Sequence, residues 1–435
     1  VTKHSKTQDT LGRRRLLRGL LGSTGLAMIA TGLPASFLRA PLARAADPCG
    51  GDAQFLILAA SDRGDPLNAN CPGSYAHAGI SHPDHPGFVE TPIKLGEVTS
   101  SAAMLWSTLP AWVLNRTSFV HHATRSAVHS EMPKIMRLMG ATQGNEMLPS
   151  LIAAQQAPCL ATIQSHPVNI GRYVNLTAGG VALPRLAPTA LKQLLTAGDS
   201  PLAHLRDLRD VYMDRIHDIL KRDGTTEQRR YLDERAQSRA DTRRLADDAT
   251  SLFDLVVDDS AESELLAAVA LFKLRVTPVV TTSLTFGGDN HSDAGLQEEI
   301  DQHEEGVQAI GTLMNVLETS GMQDQVTLAV LNVFGRNLVS DAAGGRDHWP
   351  KHSVSLIVGK AVRAGVVGGL APEGTDFTCT GIDARSGKSV QGGGDVPYEE
   401  TLAAVGKTIW AATGADRASI DDAITDGKVL DAALV

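Results

Sequence analysis

The chain has 435 residues, 43% of them hydrophobic and 4% aromatic, with a formal net charge of −9. That length suits one large domain or two of ordinary size. The acidic balance and scarcity of aromatic rings argue against nucleic-acid binding, whether through a basic surface or a base-stacking platform.

The first 45 residues read as an address. Arg13-Arg14-Arg15-Leu16-Leu17-Arg18 is followed by an apolar run from Gly19 to Phe37, and Ala43-Arg44-Ala45 offers small residues before a cleavage point. This is the layout of a twin-arginine export signal. Pro34 and the shortness of the run argue against an uncleaved anchor. The expected partner of the segment is the twin-arginine export machinery, with the mature chain, residues 46–435, in the periplasm or outside the cell. Without residues 1–45 there remain 32 basic and 48 acidic residues, a net of −16. An anionic substrate would then need local positive charge, from metals or a few arginines. No later stretch resembles a membrane span. Cys49, Cys71, Cys159 and Cys379 match no zinc spacing. Cys49 and Cys71 could close a loop over the first strand, but four cysteines allow three full pairings.

Gln54 to Ser61 is a continuous apolar run, as in a parallel strand buried on both faces. Asp62 and Asp65 follow it, placed either to offer a carboxylate beyond the strand's carboxyl end or to cap a turn. Residues 69–105 are rich in Pro, Gly, Ser and His and read as a long loop. Arg116 to His122 reads as a second strand, leading through Thr124, Ser126 and His129 into a helix ending near Gly140. A hydroxyl at such a junction is either a nucleophile or an N-cap, and Thr124 and Ser126 are the candidates. His121, His122 and His129 add possible ligands or bases. Leu151 to Ala157 predicts a short helix that Pro158 would end. Residues 165–200 are mixed loop.

Apolar residues at helical spacing from Leu202 to Leu220, a break at Asp223-Gly224, and a charged helical pattern from Glu227 to Leu255 predict a helical hairpin over about 200–256. Glu262 to Phe272 is a further helix and Arg275 to Leu284 a strand that delivers Asp289 and His291 to its end. Leu296 to Leu317 is a long amphipathic helix. Val326 to Phe334 and Ser353 to Gly359 are strands, with Arg336, Asp347 and His348 between them. Tyr398 to Trp410 is helical. The Gly-rich stretch near Gln391 to Gly394 lacks a nucleotide-binding context. The alternation predicts an α/β fold with a doubly wound, mostly parallel sheet and helices on both faces, forming one domain with the hairpin inserted.

The strand-end residues Asp65, Asp289, His291, Asp347 and His348 suit a one- or two-metal centre holding a divalent ion, zinc or calcium or magnesium. Gly288-Asp289-Asn290-His291, Phe334-Gly335-Arg336 and Gly345-Arg346-Asp347-His348-Trp349-Pro350 resemble the bacterial twin-arginine-exported family called domain of unknown function fifteen-oh-one. That family is similar to the alkaline phosphatase and sulfatase superfamily. The resemblance implies an alkaline-phosphatase-like core, a Ser, Thr or modified Cys nucleophile, Asp65 as the first-strand ligand, and Asp289, His291, Asp347 and His348 as later ligands. Val333 stands where the family usually shows Glu, and Val128-His129-Ser130 where it usually shows Ser-His-Phe. These departures bear on one metal position and on the nucleophile.

Together these features predict an exported metal-dependent hydrolase of phosphate or sulfate esters. Thr124 or Ser126 would attack a small anionic ester, and Arg336 would hold its oxygens. The alternative is a non-catalytic binding or assembly protein on the same fold, which Val333 favours. A third reading is an envelope protein that meets a partner through the charged hairpin.

Overall fold

The computed structural model describes residues 53–196 and 251–435 apart from 342–343, with scattered positions between 212 and 232. The expected signal segment and most of the expected helical hairpin lie outside the described residues. Seven strands form the central sheet: β1 (Phe55–Ser61), β2 (Thr117–His122), β3 (Val168–Asn169), β4 (Val279–Ser283), β5 (Val326–Asn332), β6 (Ser353–Val358) and β7 (Gly365–Val367). Their order is β7-β2-β6-β5-β1-β4-β3. β1 lies at the middle, parallel to both β4 and β5, with Ile57 opposite Val280 on one side and Leu328 on the other.

All seven residues of β1 are buried. Phe55, Ile57 and Ala59 belong to one core, and Leu56, Leu58 and Ala60 to another. This is why the run is continuously apolar: each face of the strand has its own layer of helices. Among the described residues, the longest helices in those layers are α1 (Leu148–Leu160), α2 (Ala261–Lys273), α3 (Gln297–Thr319) and α4 (Thr401–Ala412). Residues of α2 and α3 pack in the first core, and residues of α1 and α4 mainly in the second. The predicted α/β class, mostly parallel sheet and two-sided helical cover are therefore present.

One strand runs against the rest. β6 is antiparallel to both β5 and β2. A parallel return would need a crossover to the far edge of the sheet. Among its described residues the connection over 333–352 contains no α-helix, and it stays beyond the carboxyl end of β5. β6 therefore starts at that edge, with Ser353 opposite His122 at the end of β2. The loops after β1, β2, β4 and β5 all meet at this edge.

Several local expectations change, among them residues 165–200, which hold β3 and a helix, Pro188–Thr196, rather than only loop. Residues 69–105 hold an antiparallel hairpin, Glu90–Leu95 with Val98–Ala103, in which Ile93 and Leu95 are buried and Lys94 is exposed. Pro158 does not end α1, which runs on to Leu160 before Ala161 turns left-handed at φ 51°. A proline this close to the end disturbs little of the helix's hydrogen-bond ladder. Cys71 is a free buried thiol, so it closes no loop with Cys49, which lies outside the described residues. Among the described residues, no helix is long and apolar enough to cross a membrane.

Candidate metal centre

Three loops at the carboxyl edge carry the site. After β4 the chain turns through Gly287 and Gly288, both at positive φ, which glycine adopts without strain. The Gly288 amide donates to Asp65 Oδ1 at 3.2 Å, and Asp289 and His291 follow. After β5, Gly335–Arg336 pairs antiparallel with His348–Trp349, placing Arg336 opposite His348. After β2, the segment 123–129 brings in His129.

His129, Asp289, His291 and His348 form a group whose ligand atoms all lie within 4.8 Å of one another. Asp289 Oδ1 is 3.4 Å from His129 Nε2, 3.4 Å from His291 Nε2 and 3.9 Å from His348 Nε2. His291 Nε2 and His348 Nε2 are 2.7 Å apart. A tetrahedral ion with bonds of ~2.0–2.1 Å holds its ligands ~3.3 Å apart, which falls within this range of spacings.

The other ring nitrogens fix the tautomers. His348 Nδ1 lies 2.7 Å from the Ala127 carbonyl, and His129 Nδ1 2.6 Å from the Asp62 carbonyl. His291 Nδ1 lies 3.0 Å from Asp347 Oδ1. Carbonyls and carboxylates only accept, so each Nδ1 carries a proton, and Nε2 is the atom left in each ring to ligate an ion. Burial, with the nearby charges of Arg336 and the other two histidines, holds His348 below its ordinary pKa. His291 Nε2 and His348 Nε2 are close enough either to share a proton or to ligate one cation together. Burial pushes the Asp289 carboxyl up, but the Arg336 hydrogen bond and the adjacent Arg336, His129 and His291 charges hold it below its usual range. The donor set thus fits a metal ion.

The structure brings together three of the five expected ligands, Asp289, His291 and His348. Asp347 stands one layer out and largely exposed, orienting His291. Asp65 is buried beneath the Gly288 turn, with Ser61 Oγ at 3.4 Å, and is not in the converging group. Burial raises its pKa to about 7 against the lowering effect of Arg336. Arg336 is also buried: its guanidinium donates to the carbonyls of Gly64, Arg346 and Arg63 and to Asp289 Oδ1 at 2.7 Å. It anchors the ligand Asp289 from behind. The Ser126 hydroxyl donates to Glu131 Oε2 at 2.8 Å, and Thr124 Oγ1 lies 3.5 Å from the Ser126 carbonyl.

His129 had no distinguishing signal among three nearby histidines. The other two are engaged elsewhere, His121 with Pro72 and His352 and His122 with Ser355. Val333, the expected departure at the end of β5, is buried in the second core.

A comparison with curated proteins returned no match. Residues 199–377, under half of the chain, match a family described as a protein of unknown function, DUF1501, a stretch that includes Asp289, His291, Arg336, Asp347 and His348 but not Asp65 or His129.

Proposed function

We propose that this chain is an exported metalloprotein that holds one zinc-class ion through His129, His291, His348 and Asp289 and hydrolyses small phosphate or sulfate esters. The carrying observation is the convergence of three Nε2 atoms, in rings each oriented by an Nδ1 proton given to an oxygen, on one carboxylate whose pKa Arg336 helps hold low. A set of three nitrogens and one oxygen favours zinc over calcium or magnesium, which prefer oxygen shells. A bound ion there would supply Lewis-acid chemistry, lowering the pKa of water and neutralising charge on an ester oxygen. The chain's own contribution is to aim three imidazoles through their Nδ1 bonds, and to keep Asp289 ionised through Arg336. The alkaline-phosphatase-like likeness, twin-arginine export and periplasmic or extracellular location belong to the same proposal. They rest on the sequence resemblance and on the signal pattern of residues 1–45.

A second reading has support of its own. Four protein groups fill a tetrahedral shell, as structural zinc sites do, whereas catalytic sites keep a position open. The Thr124 and Ser126 hydroxyls are turned to other partners. A binding or assembly protein with a structural ion fits these facts.

The test is metal analysis of the purified full chain with assays on generic phosphate and sulfate monoesters. The first reading expects about one zinc per chain and hydrolysis that chelation removes and zinc restores. Zinc without hydrolysis would support the second reading. Failure to retain or take up zinc would overturn both.

A further inference from the structure

Beneath the centre lies a buried ion pair that the proposed chemistry does not use. Arg346 Nε donates to Glu299 Oε2 at 2.7 Å and Nη2 to Oε1 at 3.1 Å, and neither side chain is exposed. The remaining Arg346 N–H groups go to the carbonyls of Asn337, Leu338 and Ser81, so all five donors are engaged. Glu299 also accepts from Asn70 Nδ2 at 2.5 Å and Asn290 Nδ2 at 3.1 Å. It is fixed in the first turn of α3, where its amide donates to Asp293 Oδ2 at 3.1 Å.

The positions of these residues give the pair its meaning. Asn290 stands between the ligands Asp289 and His291. Arg346 stands two residues before the ligand His348 and next to Asp347, which orients His291. The Arg346 amide donates to the Asn290 carbonyl at 3.0 Å, so the two ligand loops also touch directly. Gly345 makes that approach possible, since a Cβ there would lie 2.2 Å from the His291 carbonyl oxygen. Buried ion pairs add little net stability over apolar residues of the same shape, and their best-attested use is to fix register.

We propose that Glu299, Arg346 and Asn290 are positioning residues that lock the 289–291 and 346–348 loops in register, so that the metal ligands are aligned before an ion binds. This rests on the metal reading above and adds to it a preformed site. The frame requires the ion-free chain to keep its ligand loops in place, so that ion binding does not drive folding.

The experiment titrates zinc into chelator-stripped full-length protein and records cobalt(II) absorption as a report of ligand geometry. Three variants accompany the wild type. Asn290→Ala removes one arm of the frame, and Glu299→Leu with Arg346→Met replaces the pair by apolar side chains. Ile409→Val perturbs the opposite core. The framed site expects zinc affinity to fall roughly 10- to 100-fold in Asn290→Ala and in the double variant, with an altered cobalt spectrum. Ile409→Val should bind as the wild type does, and the stripped wild type should remain folded. If the double variant does not fold, Asn290→Ala decides. Affinity within about twofold of wild type in Asn290→Ala, or an apo wild type that unfolds on stripping, would overturn the frame. A wild type that takes up no zinc would instead overturn the metal reading on which it stands.

Discussion

Replacing Asp65 with asparagine separates a buried carboxyl from a metal ligand. The side chain is 1% exposed, Oδ1 takes the Gly288 amide, and Oδ2 has no hydrogen-bond partner. Burial raises its pKa from 3.8 to about 7, even with Arg336 nearby. A carboxyl whose pKa is higher folded than unfolded favours folding while protonated, and that advantage is lost as the pH rises. The window here runs from about pH 4 to pH 7. At about 1.4 kcal/mol per pH unit, the ionisable side chain withdraws about 4 kcal/mol across it. Asparagine keeps the shape and does not ionise. Stability would be measured by urea denaturation of the full chain in chelator, wild type beside Asp65→Asn, at about pH 5 and about pH 8. The difference between the two proteins should grow by roughly 2–4 kcal/mol in favour of the variant between those pH values. Taking the difference cancels Glu264, whose pKa burial also raises to about 7. A difference that does not change with pH, or one that grows in favour of the wild type, would refute the assignment of Asp65 as a desolvated carboxyl.

His348→Ala removes one Nε2 from the centre and should abolish zinc retention in the purified chain while leaving its circular dichroism unchanged, and full zinc content would remove His348 from the ligand set. Asp347→Asn keeps an acceptor for His291 Nδ1 but loses its charge, so zinc affinity measured by competition with a chelator should fall by about tenfold rather than vanish. Gly345→Ala sets a Cβ against the His291 and Asn290 carbonyl oxygens at 2.2 and 2.5 Å, which forces the ligand loops apart; thermal melting and zinc titration should both show a loss. Pro158→Ala restores an amide near the exposed end of α1 and should raise stability by about 1 kcal/mol in denaturant titration, whereas a loss would mean that the ring packs in a way the burial pattern denies.

The strands that organise the sheet were legible because burial on both faces leaves a mark on every residue. β1 read as a continuous apolar run and β5 as a mostly apolar one, and α3 announced itself through Ile300, Val307, Ile310, Leu313 and Leu317 on one face. The direction of β6 was not legible, since it depends on the path of 333–352 and not on any residue within the strand. The hairpin over 90–103 was hidden among turn formers, although Ile93-Lys94-Leu95 carries the alternation of a one-sided strand. At the site, sequence proximity served Asp289, His291 and His348, which share two loops joined by short-range motifs. It could not choose His129, whose partners come from β4 and β5 and whose neighbours in sequence are two other histidines. Nor could it rank Asp65 and Asp347 against Asp289. A carboxylate that binds an ion, one that orients an imidazole and one buried under a turn are the same residue type, separated only by what surrounds them.

Arg336 shows why that distinction matters for charge. As a substrate clamp it would have to face solvent, yet its side chain is wholly buried and its partner is Asp289. The pair cancels, so the carboxylate stays ionised without making the centre acidic. With three neutral imidazoles around it, a divalent ion at this edge would keep most of its positive charge, reduced mainly by the exposed Asp347. In a chain of formal net charge −9, a bound ion would make the centre a local positive site, one that suits the small anionic ester of the proposed function. The arginine expected to hold the substrate would then serve it indirectly, by neutralising the carboxylate that would otherwise weaken the ion's field.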